Sequence, residues 1–392
     1  MKVTAKRLKL AFRSPGHFLW AMRHVLRNSV VGKIERSFPG GYALKPNLLT
    51  INITSRCNLR CSMCMQPRGA DGQDDSPTLG LRERELRPEE WIEVVDQAAS
   101  AHPAFYFSGG EPLLYKGILD ILRHIKKRGM IAALVTNGTV LERYAEELVD
   151  IGVDNVTISL DGPEDVHDNI RSVAGTFGRA TSGIRALHNA RKQAGKEYPR
   201  TKVNSVILPD NIMRLLETYK IVRDLGVEEL NLQHPMFDTA ENVHLHNRIF
   251  HQIMYGEHKD ESHGPSKEAG EFFDAQLSEA QYEQLENALN MILKQEDKYP
   301  RVSFFPDVDP KDWRGYYLDL DYPFEKECKA PWTTMRILAD GTVEPCLHYR
   351  LGNVRESGIW ELWNGEAMRK FRVQLRKHKL FPACARCCYR SY

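Results

Sequence analysis

Three cysteines fall within eight positions in "RCNLRCSMC", at Cys57, Cys61 and Cys64. Thiolates are soft ligands suited to iron–sulfur clusters and to zinc. A closed site of either kind normally takes four protein ligands. CxxxCxxC supplies three, so it either borrows a fourth cysteine from elsewhere or leaves one iron of a cubane with an open position. Five more cysteines, Cys328, Cys346, Cys384, Cys387 and Cys388, lie near the other end, with none between Cys64 and Cys328. Cys328, Cys346, Cys384 and Cys387 supply a full set of four, for which a zinc knuckle is the alternative to a cluster. A disulfide scaffold is the competing reading of all eight, but such scaffolds are small and Cys-dense, and this chain has 392 residues. The N-terminal apolar run is too interrupted for a secretory segment and no small-residue cleavage site follows it. Metal ligation in a reducing cytoplasm is therefore expected.

The elements that must position these thiols alternate between strand-like and helical patterns. "LLTINIT" (48–54) leads into the cysteines, and "AFYFSGGEP" (104–112) ends in a glycine turn. Between them "PEEWIEVVDQAASA" starts with Pro88 in its first turn and carries Trp91, Val94, Val95 and Ala98 on one face. "IAALVTNGT", "NVTISLDG", "TKVNSVIL" (201–208) and "EELNLQHP" (228–235) continue the scheme, with Gly129 and Gly152 where helix C-caps belong. Six strand–helix units whose strands read as apolar on both faces indicate a parallel sheet. The polar motifs TSRCN, SGGEP, TNGT, SLDG and QHP all follow strands. They gather at the carboxyl edge, where such folds place their active sites.

The motif CxxxCxxC followed by SGGEP resembles the radical S-adenosylmethionine (SAM) superfamily. The resemblance implies a partial (β/α)6 TIM-like barrel. It also implies a 4Fe–4S cluster whose open iron is chelated by SAM, and reductive cleavage to a 5′-deoxyadenosyl radical. Cys57, Cys61 and Cys64 would hold that cluster. Gly109, Gly110 and Glu111 match the turn that meets the SAM amine. Ser159 and Asp161 match the ribose-contacting position, and Arg171 in "VHDNIRSVAGTF" matches the arginine that pairs with the SAM carboxylate. Asn204 stands where family members place a polar SAM contact. Met63 replaces a common aromatic and is expected to cover the adenine edge. The resemblance further implies an electron donor such as flavodoxin or ferredoxin.

The stretch from Cys328 to Cys387, with "GTVEPC" and a closing CxxC, is similar to the SPASM and shortened twitch extensions of that superfamily. A second, auxiliary 4Fe–4S cluster on Cys328, Cys346, Cys384 and Cys387 is thus implied, in a small α+β extension. Four thiolates leave no iron for substrate, so this cluster serves electron transfer or structure. Net oxidation of a small molecule is the expectation. A redox-neutral epimerase, a ribosomal-peptide maturase and a non-catalytic Fe–S electron-transfer or sensor protein are the alternatives. Cys388 is a spare thiol, an alternative ligand or a hydrogen-atom donor. Only 47 residues precede the first strand, short for a peptide-recognition domain, so a small polar substrate such as a sugar or aminocyclitol is expected. Gln233 and His234 are candidate contacts to it.

The organisation expected is a basic helical segment (1–46), a core (47–237), a linker or insertion (238–300) and an auxiliary-cluster domain (301–392). The linker holds His244, His246, His251, His258 and His263 at irregular spacings, which reads as surface histidine. A formal charge of +2 offers no global field for nucleic acid. The first 36 residues differ: nine Lys and Arg face one acid, Glu35. Phe18, Leu19, Met22, Val25 and Leu26 recur there at helical spacing. Such a helix either docks on the main body or makes peripheral contact with an anionic membrane.

Overall fold

The computed structural model describes residues 15–27, 30–64, 84–256, 275–320, 322, 324, 327–346 and 349–387. Cys388, His258 and His263 lie outside the described residues. Among the described residues, ten strands form one sheet: β1 (Leu48–Thr54), β2 (Ala104–Gly109), β3 (Ile131–Thr136), β4 (Asn155–Ser159), β5 (Arg200–Val206), β6 (Glu229–Gln233), β7 (Arg301–Phe305), β8 (Thr334–Ile337), β9 (Thr342–Glu344) and β10 (Gly352–Asn353). Their order is β10-β9-β8-β1-β2-β3-β4-β5-β6-β7. From β8 through β1 to β7 every pairing is parallel, whereas β9 and β10 return antiparallel. Because β7 and β8 end the parallel run without pairing, the sheet is an open arc, a partial barrel extended by one strand at each side.

The helices are α1 (Pro15–Arg27), α2 (Val30–Ser37), α3 (Pro88–Ala98), α4 (Ile118–Lys127), α5 (Ala145–Ile151), α6 (Glu164–Arg171), α7 (Thr176–Ala194), α8 (Leu215–Asp224), α9 (Ala240–Tyr255), α10 (Glu279–Leu293), α11 (Trp313–Leu318), α12 (Ala330–Thr333), α13 (Ile359–Asn364) and α14 (Glu366–His378). α3 begins at Pro88 and buries Trp91, Val94, Val95 and Ala98, as its periodicity predicts. Gly152 caps α5 in the left-handed region, which satisfies its last carbonyls.

Helices cover one face of the arc, and there Ile51, Phe107, Leu134, Ile158, Val203 and Leu230 are all buried. The concave face is not apolar as expected. Across β5, β6 and β7, paired positions carry Lys202, Glu229 and Arg301 on one rung and Asn204, Asn231 and Ser303 on the next. Lys202 and Arg301 both pair with Glu229, at 3.0 and 3.3 Å. Above them Asn231 Nδ2 donates to Asn204 Oδ1, and Asn204 Nδ2 to Gln233 Oε1, each at 2.5 Å. Charge is cancelled low in the lumen, and amides face the carboxyl edge.

The division expected at residue 301 does not interrupt the sheet. β7 pairs with β6 and β8 pairs with β1, so the C-terminal segment completes both margins of the arc. Since Trp91 is 1% exposed, Trp91→Ala should destabilise the fold by about 3–5 kcal/mol. A shift in the denaturant midpoint at unchanged slope checks this.

Candidate metal centres

β1 ends at Thr54, and the turn into the cysteines is pinned by Glu85. Its Oε1 accepts from Thr54 Oγ1 and Ser55 N at 2.8 Å and from Ser55 Oγ at 3.0 Å. Arg56 stands 3.7 Å from the other oxygen. The turn after β2 closes from the side: Gly110 N–H donates to Thr54 O (2.7 Å) and Glu111 N–H to Arg56 O (2.8 Å). Gly109 has a φ of +115°, and a Cβ there would lie 2.5 Å from Thr54 O; one at Gly110 would collide with the Arg56 carbonyl. Only glycine permits this approach. These N–H groups are spent on the cysteine loop. The SAM amine, itself a donor, is suited only by the turn's carbonyls.

The Glu111 side chain is fully buried and joins the next turn. Oε1 accepts from Thr136 Oγ1 (2.7 Å) and Leu113 N (3.1 Å), and Oε2 from Asn137 N (2.7 Å). Burial pushes this carboxyl up, against the pull of those donors. Asn137 in turn donates to Asn58 Oδ1 (2.9 Å) and lies 3.9 Å from Cys57 Sγ. On the opposite side Ser62 N donates to Ile170 O (2.9 Å), tying the loop to α6. There Arg171 Nη1 approaches Cys61 Sγ at 3.5 Å.

Cys57 is half-buried, Cys61 buried and Cys64 exposed. Burial pushes the Cys57 and Cys61 thiols up, while Arg171 pulls Cys61 back; the charges of Cys61 and Cys64 also raise Cys57, and that of Cys64 raises Cys61. Such thiols give up their protons when a metal replaces them. The described residues contain no three His, Cys, Asp or Glu side chains converging on a single ion, and a cubane, whose ligands bind separate irons, needs no such convergence. Three thiols on one short loop, near enough to raise one another's pKa and two of them with donors beside them, suit the three-thiolate end of a cluster.

Other expected contacts divide. Ser159 at the end of β4 and Met63 in the loop are half-buried. Asp161 is fully buried, with Oδ2 2.7 Å from Arg171 Nε and Oδ1 accepting from Val206 N at 3.0 Å. Its carboxylate is thus committed within the protein rather than offered to a ribose. Asn204 and Gln233 lie together on the concave face. His234 does not reach the lumen. It is fully buried, with Nδ1 2.7 Å from Tyr317 Oη and rings of Phe304, Trp313, Tyr316 and Tyr317 around it. Burial lowers its pKa to about 3, so it serves packing and not substrate.

Cys328, Cys346, Cys384 and Cys387 line a single apolar cavity with Pro331, Phe371 and Phe381. Arg386, inside the CxxC turn, is buried at 3% exposure. Its guanidinium donates to the carbonyls of Tyr316 (2.8 Å), Leu320 (3.2 Å) and Asp319 (2.5 Å) and lies 4.9 Å over the Phe237 ring. It thereby caps the end of α11 and anchors the turn. Four thiols in one dry cradle fit a closed 4Fe–4S cluster. His246 also lines this cavity from α9 and is 1% exposed, between Phe250 and Phe381. The surface assignment fails for it: the segment forms a helix whose inner side docks on the cysteine module, while His244 stays exposed.

Glu85, Asn58, Asn137 and His246 were not singled out as site residues from sequence. Asn137 carried a signal, its place in the TNGT turn after β3. Glu85 carried none, being brought to Ser55 by the path of the chain.

A family profile described as the radical SAM superfamily matches residues 51–222, and one described as an iron–sulfur cluster-binding domain (SPASM) matches 328–388. The chain is 34% identical over 370 residues to Fe-coproporphyrin III synthase of Methanosarcina barkeri, covering 88% of this chain and 81% of that protein. It is 27% identical over 355 residues to the tungsten-containing aldehyde ferredoxin oxidoreductase cofactor-modifying protein of Pyrococcus furiosus, covering 88% and 87%. Among solved structures it is similar in fold to anSMEcpe with bound AdoMet, with a TM-score of 0.54 at 20% identity over 88% of this chain and 89% of that one. It also resembles Streptococcus suis SuiB bound to S-adenosylmethionine, with a TM-score of 0.56 at 15% identity over 83% and 67%.

Two outcomes follow from the geometry. Gly110→Val should abolish loading of the first site while sparing the second, lowering iron from about eight to about four per chain; unchanged iron content would contradict the clamp. Asn137→Ala should retain iron but lower the potential of the first cluster and cut activity about 10–100-fold, as read by redox titration and turnover.

Proposed function

This chain belongs to the radical SAM superfamily, and from that premise we propose that it removes a hydrogen atom from a small-molecule substrate in the arc's lumen and oxidises it. When bound, SAM and the two 4Fe–4S clusters supply a 5′-deoxyadenosyl radical and a one-electron acceptor. The chain's part is to hold these groups and the substrate. Cys57, Cys61 and Cys64 would hold the first cluster, three thiolates being one fewer than a closed site takes. The carbonyls of the Gly109–Glu111 turn would accept from the SAM amine, Arg171 would serve its carboxylate, Ser159 its ribose and Met63 its adenine. Cys328, Cys346, Cys384 and Cys387 close the second site. A flavodoxin or ferredoxin is the donor class this assignment implies, and the exposed Arg56 and Arg60 flanking Cys57 offer it a basic approach.

The observation that carries the reading is the inequality of the two sets. Three sulfurs stand at the carboxyl edge with one of them exposed, and four line a closed apolar cavity. Sites of those two kinds suit a catalytic cluster and an electron-accepting one. Amides of Asn204, Asn231 and Gln233 in the lumen favour a substrate that donates and accepts hydrogen bonds without demanding a counter-charge. A tetrapyrrole is the second reading, favoured by the 34% identity to a protein named Fe-coproporphyrin III synthase.

Oxygen-free protein carrying both clusters, given SAM and dithionite, should release 5′-deoxyadenosine, and Cys61→Ala should release none. Cys384→Ala should still cleave SAM but fail to yield oxidised product. Stimulation by Fe-coproporphyrin III would select the tetrapyrrole. A product isomeric with its substrate, formed equally by Cys384→Ala, would overturn the oxidative reading.

A further inference from the structure

The N-terminal helices attach to the body by one side and expose apolar residues on the other. Trp20 Nε1 donates to Asn47 O at 3.0 Å, and the Arg23 guanidinium bonds the Ala101 carbonyl. Glu35, the single acid of the first 36 residues, is 2% exposed and accepts from Leu44 N at 2.7 Å. Facing outward are Met22 (42%), Val25 (40%) and Leu26 (47%) on α1, and Val31 (37%), Ile34 (54%) and Phe38 (38%) on and just after α2. Val25 and Leu26 follow Met22 by three and four positions, and Ile34 and Phe38 follow Val31 by three and seven, so each group is a stripe along one side. Exposed apolar stripes of this kind on two adjoining helices mark an interaction site.

Positive charge frames the stripe. Arg376 at the end of α14 donates to the Arg36 and Phe38 carbonyls at 2.9 and 3.0 Å, fixing that end of the helix beside α2. Arg376, Lys377, His378 and Lys379 are all exposed there, as is Lys33 on α2. Glu327, 3.8 Å from Arg36, is the acid found beside this edge. Apolar side chains that leave water need a hydrocarbon phase, and the surrounding cations need an anionic layer around it. A phosphate backbone of nucleic acid meets the second need and not the first. Among the described residues no helix is long and apolar enough to cross a membrane, so contact would lie in the interface plane.

We propose that α1 and α2, together with the basic end of α14, form a peripheral docking surface for a bilayer of anionic phospholipid. The apolar stripes enter the headgroup boundary, and Lys33, Arg376, Lys377 and Lys379 meet the lipid phosphates. This surface stands independently of the cluster chemistry. It would let the enzyme work on an amphiphilic substrate held in or delivered by the membrane.

The full-length protein should co-sediment with vesicles of equal parts phosphatidylcholine and phosphatidylglycerol and not with phosphatidylcholine alone. Binding should weaken in high salt. Val25→Asp/Ile34→Asp and, separately, Lys377→Glu/Lys379→Glu should each weaken it by about tenfold or more, with far-ultraviolet circular dichroism and iron content unchanged. Equal binding to both vesicle types, no binding to either, or variants that bind like the parent would overturn the proposal. A protein that ignores vesicles but self-associates, and becomes monomeric with Val25→Asp/Ile34→Asp, would assign the surface to a second copy of the chain instead. Retention on RNA unaffected by Val25→Asp/Ile34→Asp would likewise count against lipid.

Discussion

The exit of β1 is held by main-chain bonds that reach across from β2, Gly110 N–H to Thr54 O and Glu111 N–H to Arg56 O. Those two bonds demand that the strands approach more closely than any side chain allows, which explains the paired glycines. The buried Glu111 carboxylate then fastens the β2 turn to the β3 turn, from which Asn137 reaches the loop carrying Cys57. From the far side α6 contributes Ser62 and Arg171 contacts, the latter backed by buried Asp161. The loop bearing three thiols is therefore gripped by β2, β3 and α6, and among its described residues Cys64 is exposed. A buried carboxylate and guanidinium are costly unless fully partnered. Here each partner is itself part of the grip, so the loop's geometry and the burial of its charges stand together.

The second centre depends on a different economy of contacts. Apolar walls from α14 and the α12 turn surround four sulfurs, and one buried cation, Arg386, holds the CxxC turn to the end of α11. Because β7 and β8 extend the same sheet that carries the first centre, the two sites share one sheet. α9, from what reads as a linker, supplies His246 to the second cavity. The concave face between strands β5 and β7 is polar, with Lys202, Glu229 and Arg301 on one rung and Asn204, Asn231 and Ser303 on the next, unlike the branched apolar layers that fill a closed barrel.

Much of this was legible in the sequence because it is local. β1 through β6 each appear as a short β-branched run followed by a turn, and α3 shows its buried face by spacing alone. The thiols, SGGEP and TNGT are legible because parallel strands deliver whatever follows them to one edge. What escaped is what depends on distant partners. β7 is a five-residue edge strand, partly exposed along its length, and β8 has four residues whose partner β1 lies 286 positions earlier, Thr334 against Leu48. His234 looked like an edge residue because it follows β6, but one step of strand alternation turns it to the helix-covered side. Glu85 reaches Ser55 through an intervening segment, and His246 sits in a stretch whose composition resembles a loop. The SLDG motif marks Asp161 as a ribose contact, and only packing shows that its carboxylate is consumed by Arg171.

The central claim is that three thiolates hold a cubane with one iron free for SAM. The most direct test is electron paramagnetic resonance of the dithionite-reduced Cys384→Ala/Cys387→Ala protein, in which the second site is removed, recorded with and without SAM. A reduced-cluster signal that changes on adding SAM is the expected result. A signal that stays the same at saturating SAM, with no nucleoside released, would mean that the fourth position is already filled and would contradict the account.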